Sequence, residues 1–181
     1  MSGGWVFVCG PSGAGKDSVM NWAIKQLGGR HGIVFSKRLI TREQHQGSDH
    51  EQVSPQQFSK LMQTGALAWH WQAHGFHYGI SAQYATQVAA GRVVVVNGSR
   101  EHCQHLQGHP QVRILHITSA AQMLAERLRQ RGRDSPHEVN LRLARNAQFA
   151  SWQADYTLVN QGELAQAGLE FVNYLSTVCF N

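Results

Sequence analysis

A short apolar run that ends abruptly at a glycine limits what this chain can fold into. Val6-Phe7-Val8-Cys9 carries no polar side chain and is half β-branched, which is how a strand buried on both faces reads. Gly10-Pro11-Ser12-Gly13-Ala14-Gly15-Lys16 follows, in the spacing G-x-x-x-x-G-K. Then Met20, Ala23, Ile24 and Leu27 fall at i, i+3, i+4 and i+7, the stripe of an amphipathic helix. Strand, glycine-rich turn and helix in that order make a cradle for phosphate. The glycines let successive N–H groups point inward, the helix N-terminus adds partial positive charge, and Lys16 reaches the β- and γ-phosphates as a mobile point charge. Gly10, Pro11, Ser12, Gly13, Ala14, Gly15, Lys16, Asp17 and Ser18 are therefore the expected contacts to ATP.

One position departs from the pattern. The residue after the lysine is usually a Ser or Thr that holds Mg²⁺; here it is Asp17, with the hydroxyl one step later at Ser18. Ser18 as a direct ligand and Asp17 acting through water are the two candidates, and the sequence leaves the choice open.

The chain of 181 residues suits a single domain spanning 1–181. No apolar run approaches a membrane span, and Val93 to Val96, the longest, reads as a strand. The first residues lack the basic region of a signal peptide. Cys9, Cys103 and Cys179 form no disulfide framework, which fits a reducing cytoplasm. The net charge of +5 calls for an anionic partner. Without zinc-finger spacing, an RNP aromatic motif or a basic block, a small phosphorylated molecule fits better than nucleic acid or a membrane.

Further along, Ile33 to Ile40 reads as one strand and Glu43 to Gln52 as a surface loop. Ser54-Pro55-Gln56-Gln57 is a capping box with proline at the first helical position, and Phe58, Leu61 and Met62 form the buried stripe behind it. Leu67 to Trp71 and Phe76 to Tyr78 read as strands around His74-Gly75. Helices over Ser81 to Ala90, Glu101 to Leu106 and Ser119 to Gln130 alternate with strands at Val93 to Val96 and Val112 to Ile117. A helix opening at Ser135-Pro136, a strand at Tyr156 to Val159 and a helix through Leu164, Phe171 and Leu175 complete the pattern. Such alternation predicts an α/β fold, a parallel sheet core flanked by helices.

The residues now resemble a known family. Gly10 to Lys16, Thr41-Arg42, Val53-Ser54 before Phe58, His74-Gly75, Tyr78-Gly79, Arg131-Gly132 with Asp134-Ser135, and Arg142-Leu143 stand in the order seen in guanylate kinases. The resemblance spans nearly the whole chain. It implies a P-loop kinase with a small acceptor-binding region (about 36–81) and a mobile lid (about 127–142), using ATP and Mg²⁺. It also implies that Arg127, Arg131 and Arg142, with Lys16, act on the transferring phosphoryl group. The alternative for Arg127, Arg129, Arg133 and Arg145 is that they are ordinary solvated charges, and that reading is preferred for Arg129 and Arg145.

The departures from that family concern the acceptor. Guanylate kinases carry a guanine-binding carboxylate just before the His-Gly pair, and here the neighbourhood is Trp69-His70-Trp71-Gln72-Ala73. Their second arginine falls on His45, the Gly-Glu pair on Gly47-Ser48, and a phosphate-contacting tyrosine near His50. A site built to pair purine N–H donors does not lose its acceptor cheaply. Trp71 to Gly79 together with Asn97-Gly98-Ser99-Arg100 is similar to one branch, the ribose 1,5-bisphosphate phosphokinases of phosphonate utilisation. That likeness implies ATP-dependent phosphorylation of ribose 1,5-bisphosphate to 5-phosphoribosyl 1-diphosphate. A phosphate monoester, with a second pKa of about 6, attacks without a general base. The chemistry then rests on positive charge and positioning.

Arg42 and Tyr78 are the foremost acceptor-phosphate ligands, followed by Ser36, Ser81 and Asn97. Trp69 and Trp71 read as core or pocket wall, and the many histidines as solvated rather than metal-binding. Two rival readings stay open: a guanylate or other nucleoside monophosphate kinase, which the missing carboxylate opposes, and a non-catalytic guanylate-kinase-like binding module, which the presence of Lys16, Arg131 and Arg142 opposes.

Overall fold

The computed structural model describes residues 3–27, 29, 32–44, 49–130, 136–147, 149 and 152–180. The apolar run forms β1 (Gly4–Cys9), every residue of it buried. It lies at the centre of a five-stranded sheet with β2 (Ile33–Phe35), β7 (Val93–Asn97), β8 (Val112–Thr118) and β9 (Tyr156–Val159), in the order β2-β7-β1-β8-β9. All four pairings are parallel.

Because side chains alternate along a strand, β1 divides the interior in two. Val6 and Val8 pack with Val19, Ala23 and Leu27 of α1 (Lys16–Leu27) and with Phe171 and Leu175 of α7 (Leu164–Thr177). Trp5, Phe7 and Cys9 face the other way, into a second cluster with Ile40, Trp71, Tyr78 and Ile80. Those partners come from a four-stranded sheet, β4-β3-β6-β5, made of β3 (Arg38–Ile40), β4 (His50–Gln52), β5 (Leu67–Ala73) and β6 (Phe76–Ser81). Trp69 locks the two sheets together. Its indole meets Trp5 edge-on at 5.7 Å and 87°, and Phe7 at 5.5 Å and 86°, the T-shaped geometry that the ring quadrupole favours.

The expected single strand from Ile33 to Ile40 is two strands in two sheets. The Ser36 amide still follows β7, donating to the Val95 carbonyl at 2.9 Å, but the Lys37 amide turns to the Tyr84 hydroxyl at 2.9 Å. From there the chain pairs antiparallel with β6 as β3. The segment Glu43 to Gln52 is not all loop either: His50–Gln52 pairs parallel with β3 as β4. Its outer residues Glu51 and Gln52 are exposed on an edge strand, so no apolar alternation betrays it.

The remaining elements follow the sequence reading closely. Ser54 caps α2 (Pro55–Gln63) with both bonds of the capping box, 3.1 Å from the Gln57 amide and 2.8 Å from the Ser54 amide to Gln57 Oε1. Only Phe58 of its expected stripe is fully buried, and Met62 is exposed. Ile24 of α1 is likewise at the surface, where Val19 takes the core position. α3 (Gln83–Ala89), α4 (Arg100–His105), α5 (Ala121–Gln130) and α6 (Pro136–Ala147) complete the chain. His74, at φ 53°, and Gly75, at φ 78°, make the two-residue turn between β5 and β6.

α1 and α7 cross where Gly168 faces the Trp22 indole closely enough that any added methyl would collide with the ring. In an open helix Gly→Ala would gain about 1 kcal/mol of propensity. Overpacking costs about 1–3 kcal/mol and outweighs it here. Gly168→Ala is therefore expected to lower the urea midpoint at unchanged m-value, and a rise in midpoint would refute the packing account.

Candidate functional site

The loop between β1 and α1 is held from behind. Gly13 and Gly15 adopt φ of 92° and 80°, conformations that a side chain resists. The Ala14 carbonyl accepts from Asn160 Nδ2 at 2.8 Å, and the Gly13 carbonyl from Arg127 Nη1 at 3.3 Å. A trans peptide sets its N–H opposite its C=O, so pinning the Ala14 carbonyl outward turns the Gly15 amide inward. Asn160 is buried just beyond β9, its carbonyl accepting from the Ser119 hydroxyl at 2.9 Å and its Oδ1 from the Gly162 amide at 3.2 Å.

In front of the loop lies a cleft of about 630 Å³. Its floor is Gly10 to Ser18 without Ala14, which is fully buried behind it. One side comes from the end of β7 and the start of α4, and the other from the second sheet through Arg38, Arg42, Trp71 and Tyr78. Leu141 and Asn146 of α6, with Phe149, close the rim.

Lys16 is secluded, its side chain 16% exposed, whereas that of Asp17 is 75% exposed. Lys16 Nζ donates to Asp17 Oδ1 at 2.9 Å and to Asn97 Oδ1, and Asn97 Nδ2 donates to Asp17 Oδ1 at 3.0 Å. Burial pulls the lysine below its usual range, and the Asp17 charge opposes that pull. In return the Lys16 charge, aided by hydrogen bonds from Lys16 and Asn97, holds the Asp17 carboxyl down at about 2 against its partial burial.

The expected site residues are distributed as follows. Arg42, Tyr78, Asn97, Asp17 and Ser18 line the cleft. Tyr78 is buried and stacks on Trp71 at 5.4 Å and 10°, and Trp71 stacks in turn on His102 at 4.6 Å and 8°. Ser36 and Ser81 are engaged elsewhere: the Ser36 hydroxyl donates to the Val95 carbonyl at 3.0 Å, and the Ser81 hydroxyl accepts from the Gln83 amide at 3.3 Å. Arg127 braces the loop from outside the cleft lining. Arg142 lies in α6, the helix that gives Leu141 and Asn146 to the rim. Arg131, with Arg133, His45, Gly47 and Ser48, lies outside the described residues.

His50, near the position of the family's tyrosine, is sealed at 1% exposure, its Nε2 3.2 Å from the Arg42 carbonyl. It supports the Arg42 backbone. The reading of solvated histidines thus fails for His50 and for His102, whose pKa burial, then the charges of His105 and His70, depresses to about 4. Among the described residues no cluster of three His, Cys, Asp or Glu could hold a metal ion.

Three contributors escaped the sequence reading. Arg38 shares the cleft-facing side of its segment with Arg42, and the alternation Arg38-Ile40-Arg42 around a fully buried Ile40 is the signal that could have found it. Arg100 donates to Asn146 Oδ1 at 2.8 Å and lies 4.2 Å from the Phe149 ring centroid, tying α4 to the rim. Asn160, like Asn97, sits at the carboxyl end of a parallel strand, where open α/β sheets place their ligands.

The central parallel strand, the glycine loop opening onto a helix and the facing second sheet define a P-loop kinase fold. The chain belongs to the guanylate kinase family, whose model matches residues 3–171. It is 39% identical over 173 residues to the ribose 1,5-bisphosphate phosphokinase PhnN of Rhizobium etli, covering 94% of this chain and 88% of that one. The enzyme of the same name from Burkholderia pseudomallei is 40% identical over 173 residues, covering 94% of each. Among solved structures, the guanylate kinase from Anaplasma phagocytophilum superposes with a TM-score of 0.69 over 97% of this chain and 85% of that one, at 18% identity, a likeness of fold alone.

Two titrations test the electrostatics. Removing the ammonium in Lys16→Met is expected to raise the Asp17 pKa from about 2 toward its ordinary 3.8, read from its carboxyl carbon shift. The stability this pair adds is present above about 4 and lost as pH falls through 2; an unmoved Asp17 pKa would show that the ammonium is not the cause. His102 gives the opposite handle on the acid side. Its pKa falls from 6.5 unfolded to about 4 folded, so the unfolded chain binds more protons between those values and stability declines as pH drops through that window. His102→Phe keeps a ring against Trp71 and should decline less steeply in urea melts from pH 7 to 4.5. An identical slope would acquit His102.

Proposed function

We propose that this chain is an ATP-dependent phosphotransferase that converts ribose 1,5-bisphosphate to 5-phosphoribosyl 1-diphosphate. One observation carries the reading: among the described residues, those that the second sheet gives to the cleft lining include cations and hydrogen-bond donors and no carboxylate. Arg38 Nε, Arg42 Nε and Trp71 Nε1 are sealed from solvent and have no hydrogen-bond partner. The two acids of the cleft, Asp17 and Glu101, come from α1 and α4 instead. A wall of silent donors suits a ligand rich in acceptor oxygens and opposes the N–H edge of guanine. The relatives of about 39% identity that bear the name ribose 1,5-bisphosphate phosphokinase point to the same acceptor.

On this reading the loop amides and Lys16 bind the donor phosphates, and Arg42 with Tyr78 holds the acceptor. Lid arginines Arg131 and Arg142 neutralise charge on the transferring group, with Arg127 at its flank. The site fits Mg²⁺, since Asp17 and Ser18 line the cleft beside the loop and phosphates and water complete the shell of such an ion. When bound, the ion screens charge on the β- and γ-phosphates. Closing the rim excludes water and so limits futile ATP hydrolysis. No helix among the described residues is long and apolar enough to cross a membrane, and the buried thiols Cys9 and Cys103 form no disulfide. Both features agree with a cytoplasmic enzyme acting on a small phosphorylated sugar.

ADP release measured with ribose 1,5-bisphosphate, with GMP and with no acceptor tests the assignment. Turnover is expected with the bisphosphate alone, falling about 100-fold or more in Lys16→Ala. Robust turnover with GMP alone would replace the acceptor and leave the fold untouched.

A further inference from the structure

Among the described residues Arg38 is a cation with no ion-pair partner. It opens β3 just after the chain crosses from the main sheet to the second one, in register with Ile80. The residue is half-buried; its Nε is shielded from water and has no partner, and among the described residues it makes no ion pair. Its neighbours do not supply the missing charge. The ring of Tyr78 lies 6.0 Å from the guanidinium carbon, a weak cation–π contact. Asp17 and Asp49 are close enough to act on it electrostatically, but neither forms an ion pair with it, and Asp17 Oδ1 already serves Lys16 and Asn97. Arg42 on one side and Lys16 on the other add repulsion. Burial accordingly disfavours the charged guanidinium, with Asp17 first and then Tyr78 and Asp49 resisting.

Burying a charge this way is costly unless a counter-ion arrives. A guanidinium is also a rigid fork matched to two oxygens of one phosphate, and so is specific in what it waits for. The donor phosphates have Lys16 and the loop amides, and the reacting acceptor phosphate has Arg42. Among the described cations that line the cleft, Arg100 is engaged with Asn146 and Phe149 and Arg38 is left over, and a bisphosphate brings one anion more than a monophosphate.

We propose that Arg38 binds the acceptor's second phosphate, the one that is not phosphorylated, and thereby selects a doubly phosphorylated sugar over a singly phosphorylated one. The assignment rests on the function proposed above. A monophosphate would leave the Arg38 charge uncompensated, whereas a bisphosphate satisfies Arg38 and Arg42 at once.

The test is a comparison of acceptors. ADP release is followed for the full chain and for Arg38→Gln and Arg38→Lys, with ribose 1,5-bisphosphate and with ribose 1-phosphate, which keeps the reacting phosphate and lacks the other. A charge-assisted bidentate contact predicts that Arg38→Gln loses about 100-fold in kcat/KM on the bisphosphate. The same variant should stay within about twofold of the parent on ribose 1-phosphate and in its KM for ATP. Should Arg38→Gln fail to fold, as judged by its thermal melt, Arg38→Lys keeps the charge, loses the fork and should still lose about tenfold on the bisphosphate alone. Equal losses on both acceptors would assign Arg38 to the reacting phosphate, and no loss on either would remove it from the site; each result overturns the proposal. A parent chain inactive on the bisphosphate would instead defeat the acceptor assignment beneath it, an outcome distinct from both.

Discussion

The site depends on keeping one lysine charged in a place that disfavours charge. Lys16 sits where α1 begins, mostly out of water, and burial alone would drive it toward neutrality. Two partners oppose this. Asp17 is supplied by the next position on the helix, and Asn97 by a strand 81 residues away. The second partner exists only because β7 runs parallel to β1 with Asn97 opposite Val8, at the mouth of the loop. Sheet register thus becomes electrostatics at the ammonium. The departure Asp17 makes from the usual hydroxyl gains a rationale here: the carboxylate holds the lysine and stays largely exposed on its other side, toward water.

The same strand settles where the acceptor stands. Its even positions belong to a core shared with α1 and α7, which fixes the helix whose N-terminus faces phosphate. Its odd positions belong to a core shared with the second sheet, fastened through Trp69. The helix of the donor cradle and the sheet of the acceptor wall are therefore set against opposite faces of one six-residue segment. Alignment of two polyanions needs such a shared reference, because their mutual repulsion gives no geometry of its own.

How much of this could be read from the residues divides by range. The loop, the capping box at Ser54 and the turn at His74-Gly75 are short-range chemistry, and spacing alone discloses them. The split of Ile33 to Ile40 into two strands is hidden, because the cause is the capture of Lys37 by Tyr84, 47 positions on. Asn160 braces Ala14 across 146 positions, and nothing near either residue announces it. Arg38 was missed for a subtler reason. An arginine beside Lys37 in a strand reads as solvated surface until the second sheet folds over it. Ser36 and Ser81 illustrate the converse: hydroxyls in the right neighbourhood whose bonds the backbone has already claimed.

The acceptor wall selects by what it lacks as well as by what it holds. Guanine offers ring N–H donors along one edge and a π-face above it, so a pocket that binds it needs an acceptor and a free aromatic surface. Here the donors Arg38 Nε, Arg42 Nε and Trp71 Nε1 would meet donors, each such mismatch costing about 1–3 kcal/mol. Trp71 is already stacked with Tyr78 and with His102, and the neutral His102 ring, with its pKa near 4, stays a stacking partner at physiological pH. The aromatic surface that a base would occupy is spent inside the protein. A phosphorylated sugar asks for neither feature and reverses the sign of the problem, since every oxygen it brings is an acceptor for a donor the fold has left waiting.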